Sequence, residues 1–535
     1  MSLWFIDALV VLGYFALIMS IGLSQRSKSG SVEGFALGDR QIAWWAVLAS
    51  IIAAEISAAT FLGAPESGFS KRNWTYAQFV IGTILARIIV SFLFIPVFYK
   101  QGVVSLYEFL ETRFGWVSRK VASATFLLTR VLAMGTRLYV AAIPLVLGYA
   151  LFHNEPVTND TKFWIFTIAI VGITLMTAIY TSVGGIRAVI WTDFIQMIVL
   201  VTAVSFTIIY LLTTLPGGWG EAMEVVKQPA FFDFAKPAED GLFAWVTHVL
   251  RQDYTIWAAI IGSTFVTMAT HGIDQDTVQR MLTAKNRRQS AFATILSGII
   301  DLPIVSAFIL IGVLLYAHYQ HMQPANFPAE SREVFPYFIL TEMPAGMKGL
   351  VIAGVLATAM GSLSTALNAL GTSFAQDFVL PRMSADLPER KKVSVLRWST
   401  ALFAFFIVIV GVVTAWFMAH NPKAEIIPLV LGILGFTFGS LLGIFLVAVL
   451  TKTRGNDFGN VLGMVCGFLA VLFLSFAPFQ RAAGINEPFI LAFPWRVTLG
   501  TFVTVAIALC FSTPPEKRRT KTALADASGP EAAHP

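Results

Sequence analysis

Runs of about 20 apolar residues recur thirteen times along this chain, separated by short polar stretches. No other feature constrains the fold as strongly. A run of that length matches the hydrocarbon thickness of a bilayer as a helix, and in lipid a backbone must satisfy its own polar groups. The runs cover 5–23, 42–64, 76–99, 121–151, 163–183, 189–215, 254–273, 291–316, 350–378, 396–418, 426–450, 461–476 and 495–512. Composition agrees: 13% of the 535 residues are charged and 56% are hydrophobic, too little polar surface to face water all round. The first run lacks a basic segment before it and a small-residue cleavage pattern after it, so it reads as a span. Cys466 and Cys510 lie in late apolar runs, where buried thiols are expected. The expected protein is all-α and polytopic, with about 13 transmembrane helices.

Basic residues set the orientation. The net charge of +6 could suggest nucleic acid, but Lys and Arg are spread between spans rather than gathered in one patch. Every second loop is rich in them: Arg26, Lys28 and Arg40; Lys100, Arg113, Arg119 and Lys120; Arg187; Arg280, Lys285, Arg287 and Arg288; Arg382, Arg390, Lys391, Lys392 and Arg397; Lys452 and Arg454. The stretches 155–160 and 221–240 on the other side are acidic. This places the N-terminus outside and the C-terminus in the cytoplasm of a cell (inner) membrane protein. The residues after Pro514 form a short polar tail, expected to be disordered.

Charges inside spans are costly, from about 2.5 kcal/mol upward at the bilayer centre, so each is a functional candidate. They are Glu55, Arg87, Arg130, Arg137, Asp193 and Asp301, with Asp274 and Asp276 at a span end. Arg130 and Arg137 are two turns apart on one face, and pairing with Glu55 or Asp301 is their structural reading; Arg87 has no evident partner. The second span carries small residues, a buried acid, Gly63 and Pro65, which points either to a helix broken around a cavity or to close helix packing. In the ninth span Thr358, Gly361, Ser362 and Thr365 share a face bordered by Ser364 and Asn368. Such hydroxyls either bond across helices or offer oxygens to a hard cation. No phosphate-binding glycine loop is present, which argues against direct ATP drive.

In order along the chain stand Gly34-Phe35-Ala36-Leu37-Gly38-Asp39-Arg40, Leu106-Tyr107-Glu108-Phe109-Leu110 with Arg113-Phe114, Gly184-Gly185-Ile186-Arg187-Ala188-Val189-Ile190-Trp191-Thr192-Asp193, and Asp274-Gln275-Asp276-Thr277-Val278-Gln279-Arg280. With the ninth span, these resemble the sodium:solute symporter family, which includes sodium/galactose, sodium/proline and sodium/sialic acid carriers. The resemblance implies a LeuT-like core of two inverted five-helix repeats, with the second and seventh spans broken. The chain would then divide into a first helix and loop (1–40), a first repeat (41–215), an extracytoplasmic loop (216–253), a second repeat (254–455), two peripheral helices (456–513) and the tail (514–535).

The same resemblance implies a secondary active transporter, not an enzyme, that couples Na⁺ to a small organic solute by alternating access. Its sodium site would fall on the carbonyls of Ala53, Ile56 and Thr358 with positions 361 and 362. Ser362 matches; Gly361 departs, because the family has a hydroxyl residue there, and a water or Thr365 would have to substitute. A second sodium position would use Asp193, Ser364 and Thr365. Solute contacts align with Thr60, Phe79, Val80, Thr83, Asp274 and Asp301, joined by the charges Glu55 and Arg137. Val80 is apolar, and Asp301 stands where the galactose carrier has a lysine, which disfavours a neutral sugar. A carboxylate, amino acid or other zwitterion fits better, since a guanidinium fork matches a carboxylate. The alternatives are proton coupling through Glu55, Asp193 or Asp301, and a transporter-like membrane sensor. The expected partners are the solute and the lipid bilayer, with no nucleic acid and no obligate protein.

Overall fold

The computed structural model describes residues 3–25, 30–153, 157–226, 231–235, 241–321, 324, 327–328, 330–384, 386–421 and 426–517. Among them the regular structure is helical, with two isolated bridges and no strand. Most of the tail expected to be disordered lies outside the described residues.

The first span is α1 (Leu3–Ser24). The second is broken into α2 (Trp44–Glu55) and α3 (Ala58–Lys71), which meet at 61°. Ile56 is extended, and Ser57 caps α3 by accepting from the Thr60 N–H, so one orphan donor of the new helix is satisfied. The break precedes Gly63 and Pro65, both of which sit inside α3. There follow α4 (Phe79–Leu93), the 38-residue α5 (Trp116–His153) and the 56-residue α6 (Asn159–Thr214). Inside α6, Gly185 takes φ 60° and ψ −152°, a conformation open in practice only to glycine. The expected spans 163–183 and 189–215 lie either side of this single-residue turn, so no loop separates them.

After a π-helical turn, Ala258–Gly262, come α7 (Ser263–Gly272) and α8 (Gln275–Met281). The chain breaks between them at Ile273 and Asp274, and the Asp274 carboxylate caps α8 through the Asp276 N–H at 3.0 Å. The seventh span therefore extends beyond its expected end at residue 273. The second and seventh spans are thus both interrupted, and the Ile42 N–H just before α2 donates to the Thr283 carbonyl just after α8, at 3.1 Å. The chain completes with α9 (Arg287–His321), α10 (Met347–Phe374), α11 (Glu389–His420), α12 (Ile426–Leu450), α13 (Asp457–Ser475) and α14 (Phe493–Leu509). Among the described residues nine helices are long and apolar enough to cross a membrane, or ten with the bent pair. Thirteen spans are reached by dividing α6 at Gly185 and counting the shorter segments 258–272 and 493–509.

Depth sorts the helices. α10 is buried along most of its length against α6, α11, α5 and α1. Outward-facing side chains include Phe92, Leu128, Ile168, Trp398 and Phe405, an apolar exterior suited to lipid rather than water. Cys510 is exposed at the end of α14 and Cys466 is half-buried, so the expectation of two buried thiols does not hold. Both ends of the core are tied. At one, Phe61 stacks on Phe335 at 5.7 Å and meets Phe308 edge-on. At the other, Arg119 bonds Asp377 and Glu111 at 2.8 and 2.7 Å, while Ser105 and Ser123 donate to the same Asp377.

Candidate ion and solute site at two broken helices

Two charge clusters flank the breaks. Glu55 ends α2, and its carboxylate is taken by the fully buried Arg87 of α4. Arg87 also donates to Ser297 at 2.9 Å and lies 4.0 Å from Asp301, both on α9, while His271 of α7 stands 3.9 Å from Glu55. One guanidinium thus ties three helices where an unpaired charge would be expensive.

The second cluster surrounds the break at Asp274. Arg130 of α5 pairs with Asp274 at 3.2 Å and with Asp276. Arg280 lies 3.4 Å from Asp276 and 3.9 Å from Asp193 on α6. Asp193 accepts from Ser50 of α2 at 2.6 Å and from Ser364 of α10 at 3.4 Å. Two expectations change. Glu55 and Asp301 belong to Arg87, not to Arg130 or Arg137, because α4 and α9 pack side by side next to the α2 break. Arg280, read as a loop charge, is almost fully buried.

Arg137 differs from the other three arginines. It is half-buried two turns beyond Arg130, within electrostatic range of Arg130 and Asp274, and makes no salt bridge with any described residue. Of the expected solute contacts, Phe79 stacks on Tyr76 and meets Tyr254 edge-on at 5.4 Å. Val80 is buried against Val305 and Ile309 on the α9 face that also carries Asp301. The Thr83 hydroxyl donates to the Val80 carbonyl at 3.0 Å, and the Thr60 hydroxyl lies 3.4 Å from Ser57. These five line α3, α4 and α9. Asp274 sits apart, occupied by Arg130 and by capping α8.

The expected sodium positions converge where α2 ends against α10. Ser362 donates to the Ala54 carbonyl at 3.1 Å, next to Ala53, and Ile56 lies at the break itself. Thr358, Ser364 and Thr365 turn their hydroxyls to backbone carbonyls of their own helix, at 2.7, 3.1 and 3.0 Å. Several participants were not singled out from sequence: Ser50, His271, Ser297 and Gln196, whose side-chain oxygen lies 2.9 Å from where a Cβ on Gly361 would sit. For two of them a signal existed, since Gln196 follows Asp193 by three residues and Ser297 precedes Asp301 by four, each pair sharing a helix face.

Comparison with known proteins now decides the family, because the model of the sodium:solute symporter family matches residues 35–467. The chain belongs to the sodium:solute symporter family. As a member it is a sodium-coupled membrane transporter of small organic solutes and not an enzyme. It is 29% identical to the sodium/sialic acid symporter SiaT of Proteus mirabilis, covering 88% of this chain and 89% of that protein. It is 27% identical to sodium-coupled monocarboxylate transporter 2 of Bos taurus, covering 88% of this chain and 72% of that protein. Among solved structures, it resembles a substrate-bound, outward-open Na⁺-coupled sialic acid symporter, with a TM-score of 0.76, 26% identity, and coverage of 94% and 97% of the two chains.

Proposed function

We propose that this symporter carries a solute bearing a carboxylate, and that Arg137 holds that group. The carrying observation is the imbalance among these four arginines: Arg87, Arg130 and Arg280 lie within 4.0 Å of carboxylates of the protein, whereas Arg137, with Asp274 only in its wider electrostatic surroundings, makes no salt bridge among the described residues. A half-buried guanidinium with no salt bridge among the described residues suits an incoming anion, which it can bind through two parallel N–H···O bonds. The relatives named for sialic acid and for monocarboxylates support an acidic solute. The body of the solute would lie against Thr60, Phe79, Val80 and Thr83, with Asp301 available to an amino or hydroxyl group. Glu55 and Asp274 would act through their arginines rather than by contact.

Sodium would bind the Ala53, Ile56 and Thr358 carbonyls with Ser362 and the backbone about Gly361, next to Asp193, Ser364 and Thr365. Bound there, the ion ties the broken second span to α10 and favours the outward-open state in which the solute binds. The loaded core then rocks inward. Coupling needs each ligand to raise the other's affinity, by a coupling free energy of roughly 1–3 kcal/mol. The basic loops put the C-terminus in the cytoplasm and the N-terminus outside, with the repeats at 41–215 and 254–455.

The test is thermal stability of the purified protein in NaCl against choline chloride, with carboxylates, amino acids and sugars as ligands. A stabilisation that needs both Na⁺ and one carboxylate, and that Arg137→Gln abolishes, is expected. Uptake of the same solute that ignores Na⁺ and follows the proton gradient would move the coupling to Glu55, Asp193 or Asp301. A sugar that stabilises an Arg137→Gln variant as well as the parent would overturn the carboxylate reading.

A further inference from the structure

Residue 361 is a glycine and so brings no hydroxyl to the proposed sodium site, and oxygens of two other helices lie close to it. The point where a Cβ on Gly361 would sit lies 2.9 Å from Gln196 Oε1, 3.3 Å from the Ala53 carbonyl oxygen and 3.6 Å from Asp193 Oδ1. Three oxygens from α6 and α2 therefore converge on the small space the glycine leaves. Gln196 is 2% exposed, and its Oε1 has no hydrogen-bond partner among the described residues, while its Nε2 donates to the Tyr14 hydroxyl at 3.4 Å. A buried acceptor without a partner is unfavourable, and it is retained most readily where a ligand completes it. The two Asp193 oxygens are divided: Oδ2 faces Ser50 and Arg280, leaving Oδ1, with Ser364, toward Gly361.

We propose that Gln196 is a sodium ligand, its side-chain oxygen standing in for the missing hydroxyl at residue 361. A neutral amide oxygen, a backbone carbonyl and one carboxylate oxygen are donors of the kind hard cations take. The ion so held would touch both the Ala53 carbonyl and Asp193, merging the two sodium positions into one place. This rests on the sodium-coupled reading of the site. The geometry also makes Gln196 and Gly361 a matched pair: a Cβ at 2.9 Å is tighter than side chains tolerate, so a serine at 361 would push Gln196 aside.

The experiment measures the sodium concentration giving half of the Na⁺-induced thermal shift, in choline-balanced buffer without solute, and half-saturating Na⁺ for uptake in proteoliposomes. Gln196→Leu keeps the volume and removes the oxygen; both values should rise about tenfold or more. Gly361→Ser alone should also raise them, and Gln196→Ala with Gly361→Ser should recover most of the loss, a non-additivity that independent sites would not show. Gln196→Glu retains the oxygen and serves if the apolar variant fails to fold; its midpoints should match the parent or fall below it. Parent-like midpoints in Gln196→Leu, or loss of the sodium response in Gln196→Glu, overturn the assignment while leaving sodium coupling intact. No sodium response in the parent overturns the coupling reading and this assignment with it.

Discussion

Arg130 and Arg137 carry the same chemistry on the same helix face, yet their surroundings make them respond oppositely to substitution. Arg130 is locked between Asp274 and Asp276, so Arg130→Gln strands buried carboxylates and should cost about 3–5 kcal/mol of stability, seen as a lowered melting temperature with or without solute. Arg137→Gln should leave the stability of the solute-free protein in thermal unfolding within about 1 kcal/mol of the parent and remove solute-dependent stabilisation, while the Na⁺ response persists. The sequence could list these arginines but not sort them. Intramembrane charge is visible from residue type and span position alone, whereas partnership depends on which helices lie side by side. Arg87 illustrates the limit: no carboxylate lies within two turns of it in sequence, and it found Glu55 and Asp301 across helix boundaries. Gln196 escaped for another reason, since a single amide on an apolar helix looks like packing until the glycine facing it is known.

At the scale of elements, most helix positions were legible because hydrophobic length is a strong signal, while the joints were read less well. The break in the second span lies at Ile56–Ser57, where a capping serine can restart a helix, rather than at Gly63 and Pro65, which α3 absorbs. The seventh span continues past its apolar run because Asp274 caps α8, a polar half-helix that no hydropathy window would include. The turn in α6 has the sharpest requirement. An alanine at Gly185 would be forced into a backbone region reserved for glycine, with its Cβ 2.5 Å from the Phe35 carbonyl. Gly185→Ala should therefore lose at least about 1–3 kcal/mol of stability in thermal unfolding. Ser57→Ala, which removes only a cap, should lose about 1 kcal/mol by the same assay.

For the whole molecule, the Arg119–Asp377 contact fastens the basic-loop end of α5 to the end of α10. Arg119→Ala should loosen that end. A Ser123→Cys reporter in a Cys466→Ala, Cys510→Ala background should then react severalfold faster with a membrane-impermeant maleimide applied from the side of the basic loops. The pairing of Asp193 with Arg280 has a consequence of another kind, for the energy source the carrier can use. A carboxylate that already faces a guanidinium through one oxygen, and accepts from Ser364 through the other, leaves no unpaired negative charge for another Na⁺ to neutralise. On the proposed single-ion, carboxylate reading, one Na⁺ and one monovalent carboxylate would cross with no net charge, and the membrane voltage would do no work on the cycle. Imposing a potassium–valinomycin potential on proteoliposomes should leave uptake of such an anion unchanged. A zwitterion carried by the same machinery would move one positive charge per turnover, gaining about 2.3 kcal/mol for every 100 mV.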